Sequence, residues 1–220
     1  MENIEREIKY QLCKEDFVKF NNYLNKEHIF VSKGVHRNYY IDSNDLYLKN
    51  KGVSVRIREI FNKRYEYTVK MTMKEVSGNI HIKKEYTIEL EKTIAEKILF
   101  DGNLNSYEYL IEPIIKYVGG QTDTYKGLSI IGFMETERLF YLFGDEIDPI
   151  NVDKSVYLGV DDYEIEWETN SNSLYKLTNA INLLNIIPLE NHESKNARFL
   201  SVYKELNQTT SVIESSELNL

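Results

Sequence analysis

Hydrophobic and polar residues alternate with a period of two along much of this chain, and that alternation predicts most of its elements. Residues 2–12 set Ile4, Ile8 and Tyr10 against Glu5, Glu7 and Lys9, a strand with one ionised face. A helix follows, because Phe17, Phe20 and Leu24, with Val18 beside them, form an apolar stripe after Asp16. Residues 30–42, rich in Val, Tyr and Ile, read as a strand, and DLYLKNKG reads as a short helical turn ending at Gly52. VSVRIREIF then places Val53, Val55 and Ile57 opposite Ser54, Arg56 and Arg58. After a polar turn around Asn62 and Lys63, YEYTVKMTMK places Tyr67, Val69, Met71 and Met73 opposite Thr68, Lys70, Thr72 and Lys74. A further turn near Ser77, Gly78 and Asn79 leads into IHIKKEYTIELE. There Lys83, Glu85, Thr87 and Glu89 share a face against Ile82, Tyr86, Ile88 and Leu90, with Lys84 breaking the pattern. A helical stretch runs from Ile94 to Val118, interrupted at Pro113. LSIIGFMETERLFYLF and YEIEWET restore strand periodicity, and helices follow over about 174–184 and 193–206.

Seven or eight strands joined mostly as hairpins, with helices between them, specify an α+β fold with a largely antiparallel sheet. The amphipathic helices decide which way the sheet curves. If the charged strand faces pointed to solvent, the helices would have no apolar surface to cover, so the sheet is expected to close as a β-barrel with helices outside and a charged interior channel. With three prolines and ten glycines in 220 residues and no linker-like tract, residues 1–207 are expected to form one domain. The closing QTTSVIESSELNL lacks a helical stripe, and residues 208–220 read as a loose tail.

A net charge of −8 argues against a nonspecific nucleic-acid binder, so a polyanionic ligand must find a local pocket. No leader-like segment or membrane-length apolar run is visible, which predicts a cytoplasmic protein without membrane contact. Cys13 stands alone and reads as an ordinary reduced thiol. His28, His36, His81 and His192 show no metal-ligand spacing, no Ser or Cys nucleophile has an evident base, and there is no glycine-rich phosphate loop.

What remains is a segregation of charge by sign. Arg56, Arg58 and Lys70 occupy middle strands, whereas Glu5, Glu7, Glu164 and Glu166 occupy the first and nearly last. Closing the barrel would unite those four carboxylates, and crowded carboxylates suit a hard divalent cation such as Mg²⁺ or Mn²⁺. The guanidinium forks of Arg56 and Arg58 suit phosphate oxygens, with Lys70 adding a point charge. Each set, taken alone, is equally a solvated strand face. Lys195 and Arg198, three apart on a predicted helix, could cap the channel, and Arg138 shares an inward face with Thr136. Tyr39 or Tyr40 could touch a ligand; Trp167 and the other tyrosines read as packing.

The segments EREIK, VRIRE, TVK, KKE, ERLFY, DDYEIEWE and SKNAR occur in this order, and the first is an intact ExExK motif. In these the chain resembles the CYTH superfamily, the triphosphate tunnel metalloenzymes, over residues 2–206, in its small single-domain bacterial form. The resemblance implies a closed eight-stranded antiparallel tunnel that binds a small-molecule triphosphate with Mg²⁺ or Mn²⁺. Matched by position, it implies Glu5, Glu7, Glu164 and Glu166 as metal ligands, and Arg56, Arg58, Lys70, Arg138, Lys195 and Arg198 as triphosphate contacts. It adds Asp153 as an acidic tunnel residue of the metal site, Glu85 as a group that orients or deprotonates water, and Lys9 as a residue that tunes the glutamates. The activity it implies is hydrolysis of tripolyphosphate, thiamine triphosphate or a nucleoside triphosphate. The alternatives are an adenylate cyclase making cyclic AMP and a polyphosphate-binding module without turnover.

Overall fold

The structure, a computed structural model, describes residues 2–61, 64–77, 80–169, 174–190 and 193–217. The turn positions Asn62, Lys63, Gly78 and Asn79, together with His192 and the last three residues, lie outside them. The described residues form eight strands: β1 (Glu2–Leu12), β2 (Ile29–Asp42), β3 (Val53–Ile60), β4 (Arg64–Ser77), β5 (Ile80–Leu90), β6 (Ser129–Leu142), β7 (Pro149–Tyr157) and β8 (Val160–Glu168). They close into a barrel in the order β1-β5-β4-β3-β2-β6-β7-β8, with every neighbouring pair antiparallel.

The helices are α1 (Lys14–Glu27), α2 (Tyr47–Asn50), α3 (Lys92–Asp101), α4 (Glu108–Val118), α5 (Tyr175–Leu183) and α6 (Lys195–Glu217), with a 3-10 turn at Thr122–Tyr125. Their apolar stripes explain the barrel's polarity. Phe20 and Leu24 of α1 and Leu177, Ala180 and Ile181 of α5 bury against Ile8, Tyr10, Ile150, Val152, Ile165 and Trp167. On the other side, Ala95 and Ile98 of α3 and Leu110, Ile111 and Ile114 of α4 cover Val53, Val55, Ile57, Tyr67 and Val69. The hydrophobic core therefore lies outside the sheet, as the helix stripes require, and the alternate strand positions face the lumen.

Helix α6 does something different at its start. Phe199 packs on Tyr40, Met134 and Tyr157, which share strand faces with the lumen residues Asn38, Thr136 and Ser155, so the first turns of α6 stop one mouth of the barrel. Gly132 makes room for it: a Cβ there would stand 2.7 Å from the Phe199 ring.

Three local expectations differ from the structure. The helical stretch breaks at Gly102, whose left-handed φ of 70° ends α3. Pro113 instead lies within α4, where burial of its ring beside Ile114 helps offset the missing backbone donor. Strand β7 is not among the expected strands; the Gly, Asp and Pro of GDEIDPIN at its approach favour a turn. Finally, the stretch from 208 to 217, expected as a loose tail, continues the backbone of α6. Extending a helix already nucleated by packed residues costs far less than starting one.

Candidate active site

The strand period of two places every second residue in the lumen, and barrel closure decides which of them meet. β3 and β8 stand four strands apart in either direction around the ring, so Arg56 and Arg58 face the β8 carboxylates across it. Between them lies a cavity of about 400 Å³. Nine of the sequence-predicted residues line it: Glu5, Glu7, Arg56, Arg58, Lys70, Glu85, Arg138, Glu166 and Lys195. Lys9, Asp153, Glu164 and Arg198 do not; they form a buried network further along the barrel, beneath the start of α6.

Register explains this division. Glu7 stands opposite Glu168, Lys9 opposite Glu166, and Gln11 opposite Glu164. Glu164 is thus displaced along the barrel from Glu5 and Glu7, and the structure does not unite those four carboxylates. The triad it forms is Glu5, Glu7 and Glu168, with one carboxylate oxygen from each lying within 4.8 Å of the others. Glu168 shares the charged face of EIEWE with Glu164 and Glu166 but is not among the expected metal ligands. A set of convergent, oxygen-only donors fits a hard divalent ion such as Mg²⁺ or Mn²⁺.

The carboxylates behind the triad already have protein cations. Lys195 Nζ lies 2.9 Å from Asp153, 2.7 Å from Glu164 and 2.9 Å from Glu166. Arg138 donates to Asp153 at 2.7 and 2.6 Å and to Glu166 at 2.7 Å. Arg198 is buried and clamps Asp162 at 2.8 Å, Glu164 at 2.6 Å and the Glu193 carbonyl at 2.7 Å. It is a fastener between α6 and β8, set back from the lumen. Lys9 also donates to the Glu193 carbonyl, at 2.9 Å, and burial pulls its ammonium below its ordinary value. Both cations therefore tie down the segment leading into α6. Burial pushes Glu166 toward the neutral form, but Lys195 and Arg138 prevail and hold it well below the carboxylate range.

On the other wall, Lys70 lies 2.6 Å from Glu5 and 2.7 Å from Glu85. The two carboxylates settle differently. Burial raises Glu5 to about 7, helped by Glu168 and Glu85 and opposed by Lys70. Burial acts on Glu85 as well, yet Lys70 and Arg56 hold it below the usual range, and Thr87 Oγ1 donates to it at 2.6 Å. Lys83, buried beside Glu7, forms an ion pair with it and is a lumen cation not among the expected contacts.

Arg56 and Arg58 are the exception to this pairing. Among the described residues neither forms an ion pair: Arg56 Nε has no hydrogen-bond partner, and Arg58 Nε donates to the Asn38 amide oxygen at 2.9 Å. Burial, together with Arg56 and Arg138, pulls Arg58 down to about 9, so its charged form is strained while remaining charged at neutral pH. Two guanidinium forks without a carboxylate partner among the described residues, facing a carboxylate triad across the lumen, have the chemistry to take an anion and a cation together. His36, Asn38 and Tyr40 of β2 also line the cavity. Tyr39, by contrast, donates to Glu59 at 3.2 Å and packs on the barrel's outer side.

Comparison with known proteins agrees with this geometry. The CYTH domain model matches residues 3–199. Among solved structures, HpAC1 from Hippeastrum, described as an adenylyl cyclase candidate with a dominant triphosphatase activity, superposes with a TM-score of 0.74 at 21% identity, covering 90% of this chain and 95% of that one. An adenylate cyclase candidate from Bacillus halodurans gives 0.68 at 24% identity, covering 90% of this chain and 98% of that one. At these identities the likeness is one of fold. No curated protein matches the chain in sequence.

Proposed function

Because the chain belongs to the CYTH domain family, we propose that it hydrolyses a triphosphate bound in the lumen with the help of a divalent cation, releasing orthophosphate. The observation that carries this reading is the unpaired Arg56 and Arg58 facing Glu5, Glu7 and Glu168 across one cavity. The dominant triphosphatase activity described for the Hippeastrum protein supports hydrolysis over cyclisation.

In this reading Glu5, Glu7 and Glu168 would hold Mg²⁺ or Mn²⁺. When bound, the ion supplies positive charge at the phosphoryl oxygens and lowers the cost of their charge redistribution in the transition state. Arg56 and Arg58 accept the phosphate chain, and Lys70, Lys83, Arg138 and Lys195 lend further positive charge to the wall. Glu85, held ionised by Lys70 and Arg56, is a weak base; it keeps the Lys70 ammonium turned toward the lumen. Attack by water on the terminal phosphorus then depends on placement and electrostatics, as phosphoryl transfer generally does.

The lining also ranks the substrates. Tyr40 is the aromatic residue among the described lining residues, and its ring is engaged by Phe199. Among the described lining residues no free Phe, Tyr or Trp ring awaits adenine or thiazolium, which favours inorganic tripolyphosphate. The test is orthophosphate release from tripolyphosphate, thiamine triphosphate and ATP with Mg²⁺ or Mn²⁺, with Arg58→Met and Glu7→Gln alongside. Release from tripolyphosphate, lost in both variants, is expected. Cyclic AMP from ATP would point to the cyclase reading, and tight binding without turnover of any substrate would point to a binding module.

A further inference from the structure

His36 faces the lumen from β2, 7% exposed, in a stretch of wall otherwise given to cations. Strand register fixes its position. Two residues to one side, Asn38 stands opposite Arg58 on β3; two residues to the other, Gly34 stands opposite Arg138 on β6. His36 therefore sits between the two arginines, on the strand diametrically across the ring from β1, which carries Glu5 and Glu7. A phosphate held by Arg58 and Arg138 would lie over the imidazole.

The surroundings of the ring are one-sided. β3 presents Arg56 and Arg58 to it, β6 presents Arg138 and α6 presents Lys195, and burial with these four cations holds the imidazole far below its ordinary value. The Arg138 and Lys195 charges are answered from behind by Asp153 and Glu166, whereas those of Arg56 and Arg58 are not. Among the described residues no hydrogen-bond partner engages the ring, so its N–H donor and its lone pair are both available to the cavity. A purely structural filler at this point would be better served by an apolar side chain.

We propose that His36 is a phosphate-contacting residue that takes up a proton from solvent when a triphosphate fills the lumen. A triphosphate brings several negative charges into a space whose cations had excluded one more, and so inverts the local potential that kept the ring neutral. The imidazolium then donates a charge-assisted hydrogen bond to a phosphate oxygen, and binding is coupled to proton uptake. This inference rests on the triphosphate reading above and adds to it a residue that metal-ligand spacing gave no reason to select.

The experiment follows the histidine ring carbon and proton signals of the full chain by NMR during titration with inorganic tripolyphosphate. It is run with EDTA and again with Mg²⁺, with calorimetry in parallel to establish binding. The His36 signal is identified by its loss in His36→Gln, or by exclusion through substitutions of His28, His81 and His192 should that variant not fold. The expected result is a neutral ring at pH 6.5 in the free protein that moves to the imidazolium position at saturation. The wild-type calorimetry should show uptake of about one more proton than His36→Gln, whose affinity at pH 6.5 is about tenfold lower. Saturating binding that leaves the His36 ring neutral, or a ring already charged in the free protein, overturns the inference and leaves the triphosphate reading standing. No binding under either metal condition overturns both.

Discussion

Replacing Arg58 with methionine should make the free protein more stable and its ligand-bound form weaker, a pair of opposite effects that a solvated surface cation would not produce. Among the described residues Arg58 has no carboxylate partner, and burial with Arg56 and Arg138 pulls it well below its ordinary value, to about 9. At about 1.4 kcal/mol for each tenfold change in a protonation equilibrium, the upper bound on the strain is about 5 kcal/mol. Cavity water reaches part of the side chain and Asn38 accepts from Nε, so a gain on the order of 1–2 kcal/mol is expected on removing the charge. For a domain of this size that is about 2–8 °C in Tm. The lost fork takes with it two charge-assisted hydrogen bonds to phosphate, about 3 kcal/mol or roughly a hundredfold in affinity. Differential scanning calorimetry in EDTA at low salt, with and without tripolyphosphate, reads both effects. A variant less stable than wild type in the absence of anion, or one stabilised by tripolyphosphate as strongly as wild type, refutes the argument that Arg58 waits for an anion.

Other substitutions follow from the same charge map. Lys195→Met leaves the buried Asp153, Glu164 and Glu166 short of a shared cation and should cost about 3–5 kcal/mol, measured by urea unfolding. Glu168→Gln should weaken Mn²⁺ binding by about tenfold or more, read by calorimetry, while Glu164→Gln should disturb stability more than metal affinity. The pH dependence has a definite sign. Glu5 is raised to about 7, so between its unfolded value of 4.5 and pH 7 the folded protein binds more protons than the unfolded chain. Its contribution is full below 4.5 and is lost as pH rises through 7. A cation on the same oxygen competes with that proton, so the rise in Tm on adding Mn²⁺ should be larger at pH 8 than at pH 5.5. An equal rise at both would remove Glu5 from the site.

Much of this was legible in the sequence, for a physical reason. A period of two names a face, so EREIKY, VRIRE and YEIEWE announced which residues share a wall, and the helix stripes settled that the apolar walls face outward. Periodicity does not give register. Glu164, Glu166 and Glu168 are equivalent on one face of β8, and only the pairing of Glu7 with Glu168 decides which of them joins Glu5 and Glu7. Nor does it give partners: Lys9 and Arg198 looked like tunnel cations, and the structure turns both to the Glu193 carbonyl behind α6. Lys83 shares the Glu85 face, the same signal that marks Arg56 and Arg58 as inward, but periodicity does not name Glu7 as its partner.

The position of the core explains why so many charges can be kept inside. In most small barrels the lumen is filled by apolar side chains, and a charge placed there would cost several kcal/mol. Here the wall is held from outside, by α1 and α5 on one flank and α3 and α4 on the other, so the lumen is relieved of the task of cohesion. Its residues then divide by what they lack. Those with complete partners, Asp153, Glu164 and Arg198 among them, lock α6 into the mouth; those left incomplete, Arg56, Arg58 and His36, mark where something else must come. The stability of the barrel and the affinity proposed for an anion therefore draw only in part on the same residues: Arg138 and Lys195 serve both, Arg56 and Arg58 only the second. That separation is why a substitution at Arg58 can raise one while lowering the other, and why one at Lys195 cannot.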